Sequence, residues 1–146
     1  MKIRAATAGD APGIAALLIR SISALCTPDH GDDPAAVAEW TANKTPDNVA
    51  RWIAAPGMIA LVAVDETGLA GVAMADEAGA VHLNYVDPAR RFNGVSAALL
   101  AALEARLREA GVRTARLTST KTALPFYLRR GWKAAGDKAD ALTKQL

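Results

Sequence analysis

A mixed α/β domain with helices on both faces of a mostly antiparallel sheet is the fold class this sequence predicts. Three observations carry it. Val81, Leu83 and Tyr85 alternate with His82 and Asn84, the period-two pattern of a strand. Past Gly94 the period lengthens, and Val95, Leu99, Leu103 and Leu107 recur every fourth residue as one apolar helical stripe. Two further apolar runs, Met58 to Val64 and Leu69 to Met74, flank Glu66-Thr67-Gly68, a hairpin signal.

The elements follow in order. Lys2 to Ala5 is a short first strand. Thr7 caps a helix, with Asp10 in the reciprocal position of a capping box. Ile14, Leu17, Leu18, Ser21, Ile22 and Leu25 form that helix's apolar face. Thr27 to Pro34 reads as an acidic turn, with His30 solvated in it. A second helix spans about Ala35 to Thr41. A third begins at Thr45-Pro46-Asp47: an N-cap, a proline at the first helical position and an acid in the first turn. It carries Val49, Trp52 and Ile53 and stops at Pro56-Gly57. After the hairpin and the Val81 strand, the long helix ends at Gly111. Val112 to Leu117 is a strand, Lys121 to Arg130 a short helix, and Gly131-Trp132 opens a last pair of strands ending near Leu142.

Composition narrows the class. At 146 residues the chain suits one domain, residues 1–146, large enough to bury a core without staples. A net charge of +2 demands neither a nucleic-acid nor a membrane partner, and none is expected. Cys26, the single cysteine, makes no internal disulfide and no metal site alone; it is expected to be a buried structural thiol. The N-terminus MKIRAATAGD lacks the apolar core of a signal peptide, and no uninterrupted apolar run approaches a membrane span. A cytoplasmic protein is therefore expected.

Arg90-Arg91-Phe92-Asn93-Gly94-Val95-Ser96 lies between the Val81 strand and the long helix. A helix start leaves backbone N–H groups without partners and carries partial positive charge, so this end suits a diphosphate. Gly94, without a Cβ, would let the ligand approach the backbone closely. The sequence has neither G-x-x-x-x-G-K-[ST] nor G-x-G-x-x-G after a strand, which excludes the two commonest phosphate loops.

Two motifs together make the reading specific. Val86-Asp87-Pro88 followed by Arg91-Phe92-Asn93-Gly94-Val95-Ser96 resembles the acetyl-CoA motif of the GNAT acetyltransferase superfamily, a V-x-P turn and then R/Q-x-x-G-x-G/A. Ala123, Phe126, Tyr127, Gly131 and Trp132 resemble that family's A-x-x-F-Y-x-x-x-G-[FW]. About thirty residues, one helix and one strand, separate them, which suits a βα unit. Ser96 departs from the family's usual Gly or Ala, and Thr120 from its usual Asn or Ser.

The resemblance implies acetyl-CoA as cosubstrate, with no metal. The diphosphate would sit on the amides of Phe92 to Ala97 beside Arg91, and the pantetheine arm would pair with main-chain groups near Tyr85 and Val86 on an open strand edge. Thr120 either serves CoA or caps the helix that follows it. A backbone N–H at the Tyr85–Val86 level would hold the oxyanion. Tyr127 would protonate the departing thiolate, and His82 or a water would take the amine's proton. The acceptor is expected to be a small-molecule or peptide amine. Asp29, Asp32, Asp33 and Glu39 are candidates for drawing in a cationic one. Two copies pairing through the C-terminal strands is a further expectation. The alternative is a CoA-binding regulatory domain without catalysis; the arginines also admit a nucleic-acid reading.

Overall fold

The computed structural model describes residues 1–146. The chain runs β1 (Lys2–Ala5), α1 (Ala11–Leu25), α2 (Thr27–His30), α3 (Pro34–Thr41), α4 (Pro46–Ala54), β2 (Met58–Asp65), β3 (Gly68–Asp76) and β4 (Val81–Val86). It continues through α5 (Val95–Glu109), β5 (Thr114–Thr118), α6 (Leu124–Arg129), β6 (Lys133–Ala134) and β7 (Ala141–Gln145). The fold class is the expected one, but the sheet is divided. Four antiparallel strands form one sheet in the order β1-β2-β3-β4, and three form another in the order β5-β7-β6. The two touch through one parallel bridge, Ala80 to Arg116, where the Arg116 N–H donates to the Gly79 carbonyl at 2.8 Å. Beyond it β4 and β5 diverge.

Two cores cover the two faces of the first sheet. Ile14, Leu17 and Leu18 of α1 are buried with Val49, Val62, Val72 and Met74. On the other face Val95, Leu99, Leu103 and Leu107 of α5 pack with Leu61, Ala73, Leu117, Tyr127 and Trp132. Each such aliphatic removes enough apolar area from water to favour folding by about 1.5–3 kcal/mol. The stretch Ala8–Leu25 has the length and mean hydropathy, 1.2, of a membrane span, but Asp10 and Arg20 interrupt it. Its apolar stripe faces the sheet.

The capping signals form as read. The Thr7 N–H donates to Asp10 Oδ2 at 2.8 Å, and the Thr45 hydroxyl accepts from the Asn48 N–H at 3.2 Å. Two local expectations are corrected. Thr27 to His30 is a helical turn closed by left-handed Gly31, and His30 is buried. Its Nδ1 accepts the Asp32 N–H at 3.0 Å while its Nε2 lies 2.8 Å from the Ile22 carbonyl. One nitrogen accepts and the other must donate, so the ring is a neutral structural strut. The other correction lies in β4. Leu83 pairs with Met74 and Val81 with Ala75, which makes His82 the extra residue of a bulge. Val81 therefore packs on the α5 side while Leu83 and Tyr85 face α1.

Candidate active site

The divergence of β4 and β5 opens a cleft of about 590 Å³. Its walls are β4, the β5–α6 segment, the C-terminal end of α1 and the start of α5. All but one of the sequence-stretch candidates come together here: His82, Tyr85, Val86, Arg91, Phe92, Gly94, Val95, Ser96, Ala97, Thr120 and Tyr127 line it. Asn93 is exposed in the turn just before Gly94.

At the wide end stands the start of α5. The Ala98 N–H makes the first helical bond, to the Gly94 carbonyl at 3.0 Å, and no side chain caps the amides before it. The N–H groups of Val95, Ser96 and Ala97 are therefore open to a ligand. Gly94 has φ +76°, and a Cβ there would meet nothing within 4 Å. Its role is the left-handed turn into the helix, with clear space beside it. Phe92 is also left-handed, φ 69°, and exposed, with the Arg91 guanidinium 4.6 Å from its ring centroid. Arg90 differs from its neighbour. Its Nε and Nη2 each lie 2.9 Å from the Asp65 carboxylate, and it also bonds Asp87 and the Thr67 hydroxyl. That arginine ties the β2–β3 turn to the segment after β4.

Along β4 the main chain divides its amides between two sides. The Asp87 N–H donates to the Ala70 carbonyl of β3 at 2.8 Å. Amides alternate along a strand, so that of Tyr85 also faces β3 while those of Asn84 and Val86 face the cleft. The Tyr85 phenol points toward α1, where burial raises its pKa. Val86 and Asn84, rather than Tyr85, thus offer main-chain groups to an extended ligand. The carboxamide oxygen of Asn84 is buried without a partner.

Tyr127 sits in the opposite wall, 6% exposed. Phe126 and Trp132 hold its ring edge-to-face at centroid distances of 5.2 and 5.9 Å. Burial pushes its phenol up to about 12, and the Asn84 carboxamide beside it opposes that rise. The group is a proton donor at neutral pH. His82 is half-exposed, with Nε2 2.8 Å from Asp76 Oδ2. A carboxylate only accepts, so Nε2 carries the hydrogen in the neutral ring and Nδ1 keeps the free lone pair. Asp76 itself is held low: partial burial opposes ionisation, but His82 and the Ala80 and Ala78 amides outweigh it. The Thr120 hydroxyl accepts from the Ala123 N–H at 3.1 Å and so caps the turn into α6.

The chain's own sequence matches the Acetyltransferase (GNAT) domain over residues 26–141. The chain belongs to the GNAT acetyltransferase family. Its fold agrees. A GCN5-related N-acetyltransferase from Rhodopseudomonas palustris superposes with a TM-score of 0.89 at 22% identity, covering 99% of this chain and 95% of the other. PaiA N-acetyltransferase from Thermoplasma acidophilum, solved with coenzyme A, gives 0.86 at 14% identity, covering 99% and 98%. A GNAT family acetyltransferase from Brucella melitensis, solved with acetyl-CoA, gives 0.70 at 21%, covering 99% and 87%. No curated protein sequence matches the chain.

Within this GNAT domain, Ser21 and Leu25, read from the sequence as part of the first helix's apolar face, and Cys26, read as a buried structural thiol, line one wall of the cleft. Burial first, then the nearby Asp29 carboxylate, pushes the Cys26 thiol up to about 11, so it stays protonated. Asp29 reaches across the cleft mouth and accepts from the Lys121 N–H at 2.7 Å, the Thr122 N–H at 3.1 Å and the Thr122 hydroxyl at 2.7 Å. Nothing in local spacing pairs residues 29 and 122; only the fold does. Of the other acids expected to draw in a cation, two have local partners, and Glu39 is exposed on α3 outside the cleft lining. Asp32 accepts from the Thr27 hydroxyl and Asp33 caps α3.

Proposed function

We propose that this protein transfers an acetyl group from acetyl-CoA to a primary amine of a small molecule or peptide by direct attack. One observation carries the reading: a cleft with open helix amides at one end holds a buried phenol in its wall. The amides of Val95, Ser96 and Ala97 with Arg91 suit a diphosphate. The outward amides of Val86 and Asn84 suit a pantetheine arm, and one of them would hold the oxyanion. Tyr127 gives its proton to the sulfur as the carbon–sulfur bond breaks. His82, oriented by Asp76, or a water takes the proton the amine must lose. Asp29, Asp32 and Asp33 all have partners, and no carboxylate lines the cleft. An amine without a second cation needs no counter-charge from the cleft walls and suits them best.

An acetyl-transfer screen over amino acids, arylalkylamines, polyamines, aminoglycosides and peptide N-termini tests this. Turnover is expected, with the polycations poorest. Thermal stabilisation by CoA with no turnover on any amine would instead identify a CoA-binding regulatory domain. His82→Ala is expected to lower kcat/KM about tenfold or more near pH 7. If its kcat/KM stays at the wild-type value from pH 6 to 9, water serves as base without the ring.

A further inference from the structure

We infer that the acceptor is an apolar primary monoamine whose hydrocarbon body lies against the α1–α2 wall of the cleft, a substrate class that rests on the acetyl-transfer reading above. α5 covers one face of the first sheet and α1 the other. The start of α5 and the C-terminal end of α1 both wall the cleft, so it passes through the sheet from one face to the other. The carrier's diphosphate has its place at the α5 end, and its arm runs along the β4 edge. That leaves the opposite mouth, on the α1 side, as the way in for the amine.

Ser21 and Leu25 of α1, Cys26 just after it, and Leu83 and Tyr85 from the face of β4 that packs toward α1 give that mouth its chemistry. None is charged at neutral pH. Burial pushes the Cys26 thiol up to about 11 and raises the Tyr85 phenol as well. The two charges felt at Cys26 offer a cation nothing: Asp29 already accepts from Lys121 and Thr122, and Arg91 carries the wrong sign. A wall of this kind holds an acceptor by removing its hydrocarbon from water, and each methylene that reaches it is worth about fourfold in binding. A second ammonium on the same chain would lose its water with no counter-charge in return. The same surroundings favour the neutral amine over its ammonium, and the neutral amine is the form that attacks. Its lone pair forms the new carbon–nitrogen bond while the carbon–sulfur pair goes to sulfur. Sulfur takes the Tyr127 proton, and the proton lost by nitrogen leaves through His82 or water.

Straight-chain primary amines from propylamine to hexylamine, with 1,6-diaminohexane beside them, test this in the wild-type enzyme. kcat/KM is expected to rise about fourfold per methylene. Hexylamine should exceed the diamine of equal length by about tenfold or more. Leu25→Asp puts a carboxylate into the wall and should reverse the order of those two, with the CoA-induced rise in Tm as in wild type. That rise shows that the variant is folded and still holds the carrier. A series that is flat or falls with chain length, or a diamine as good as hexylamine in the wild type, would overturn the apolar class. So would an enzyme that acetylates polar amines and none of the series. An unreversed order in a Leu25→Asp protein that binds CoA would overturn the place given to the α1–α2 wall. A wild-type protein that CoA stabilises and that acetylates no amine of any kind would instead overturn the acetyl-transfer reading, and this proposal with it.

Discussion

Tyr127 belongs both to the packed core and to the wall of the cleft. Its ring closes a core cluster with Phe126 and Trp132 while its hydroxyl belongs to the cleft wall. Removing only the oxygen should leave the packing almost intact. Tyr127→Phe is thus expected to keep its Tm within a few degrees, to bind CoA as before, and to lose about a hundredfold in kcat. Steady-state kinetics beside a melting curve check it; a Tm loss as large as the kcat loss would make the residue structural. The phenol was legible in the sequence because its neighbours Phe126, Gly131 and Trp132 form a contiguous motif. Asn84 was not. Its carboxamide oxygen is buried without a partner beside the cleft, and a lone asparagine on an alternating strand carries no mark of that. His30 failed for a similar reason: a histidine among aspartates reads as solvated until the turn at Gly31 folds its ring against the Ile22 carbonyl.

At the level of elements, the helix that starts at the wide end of the cleft was fully readable. A stripe of four aliphatics, a glycine in front and an early break in the strand pattern specify α5 and its start within a residue. The short helix α2 was not readable. Four residues beginning with Thr-Pro-Asp look like a turn, and their stability comes from outside. Asp29 supplies it by accepting three hydrogen bonds from residues Lys121 and Thr122, which joins α2 to the segment leading into α6. Thr122 lines the cleft, so those bonds fix one edge of it from outside. Asp29→Ala is expected to destabilise the fold by about 2 kcal/mol, the worth of charge-assisted hydrogen bonds lost from a half-covered site. Because the bonds lie on the acceptor side, KM for the amine should rise more than KM for acetyl-CoA. Chemical denaturation and two-substrate kinetics measure both; an unchanged amine KM would reduce Asp29 to a structural tie.

For the whole molecule, the decisive feature is that the two sheets meet at one seam and then part. The strand patterns do not show the gap, because a strand's own pattern does not say which neighbour it lacks; only the family resemblance implied an open edge at Tyr85 and Val86. The seam needs Gly79: its φ is +101°, and a Cβ there would stand 2.7 Å from the Thr114 carbonyl oxygen. Elsewhere, carboxylates bind the parts together. Asp10 joins α1's start to Arg4 of β1 at 2.8 Å, Asp65 holds Arg90, Asp87 joins Arg20 of α1 at 2.7 Å, and Asp29 spans the cleft. All four carboxyls are held below their ordinary value of 3.8. Hydrogen bonds from Arg4 bring Asp10 to about 2. For Asp29 and Asp87, hydrogen bonds and cations outweigh the opposing effect of partial burial. A carboxyl whose pKa is lower folded than unfolded binds protons more readily in the unfolded chain. Its stabilisation is complete well above the unfolded value and is lost as pH falls through the folded one. The four therefore act in the same direction, their contributions falling away as pH drops below about 4, for Asp10 down through about 2. Because each joins a different pair of segments, their protonation loosens the first strand and helix, the β2–β3 turn, the segment after β4 and the tie between α2 and Thr122 together. Thermal melts from pH 7 to pH 2 should show Tm falling steeply only below pH 4, as one cooperative step. A Tm that holds at its neutral value down to pH 2.5 would mean that the apolar cores alone keep the two sheets in register.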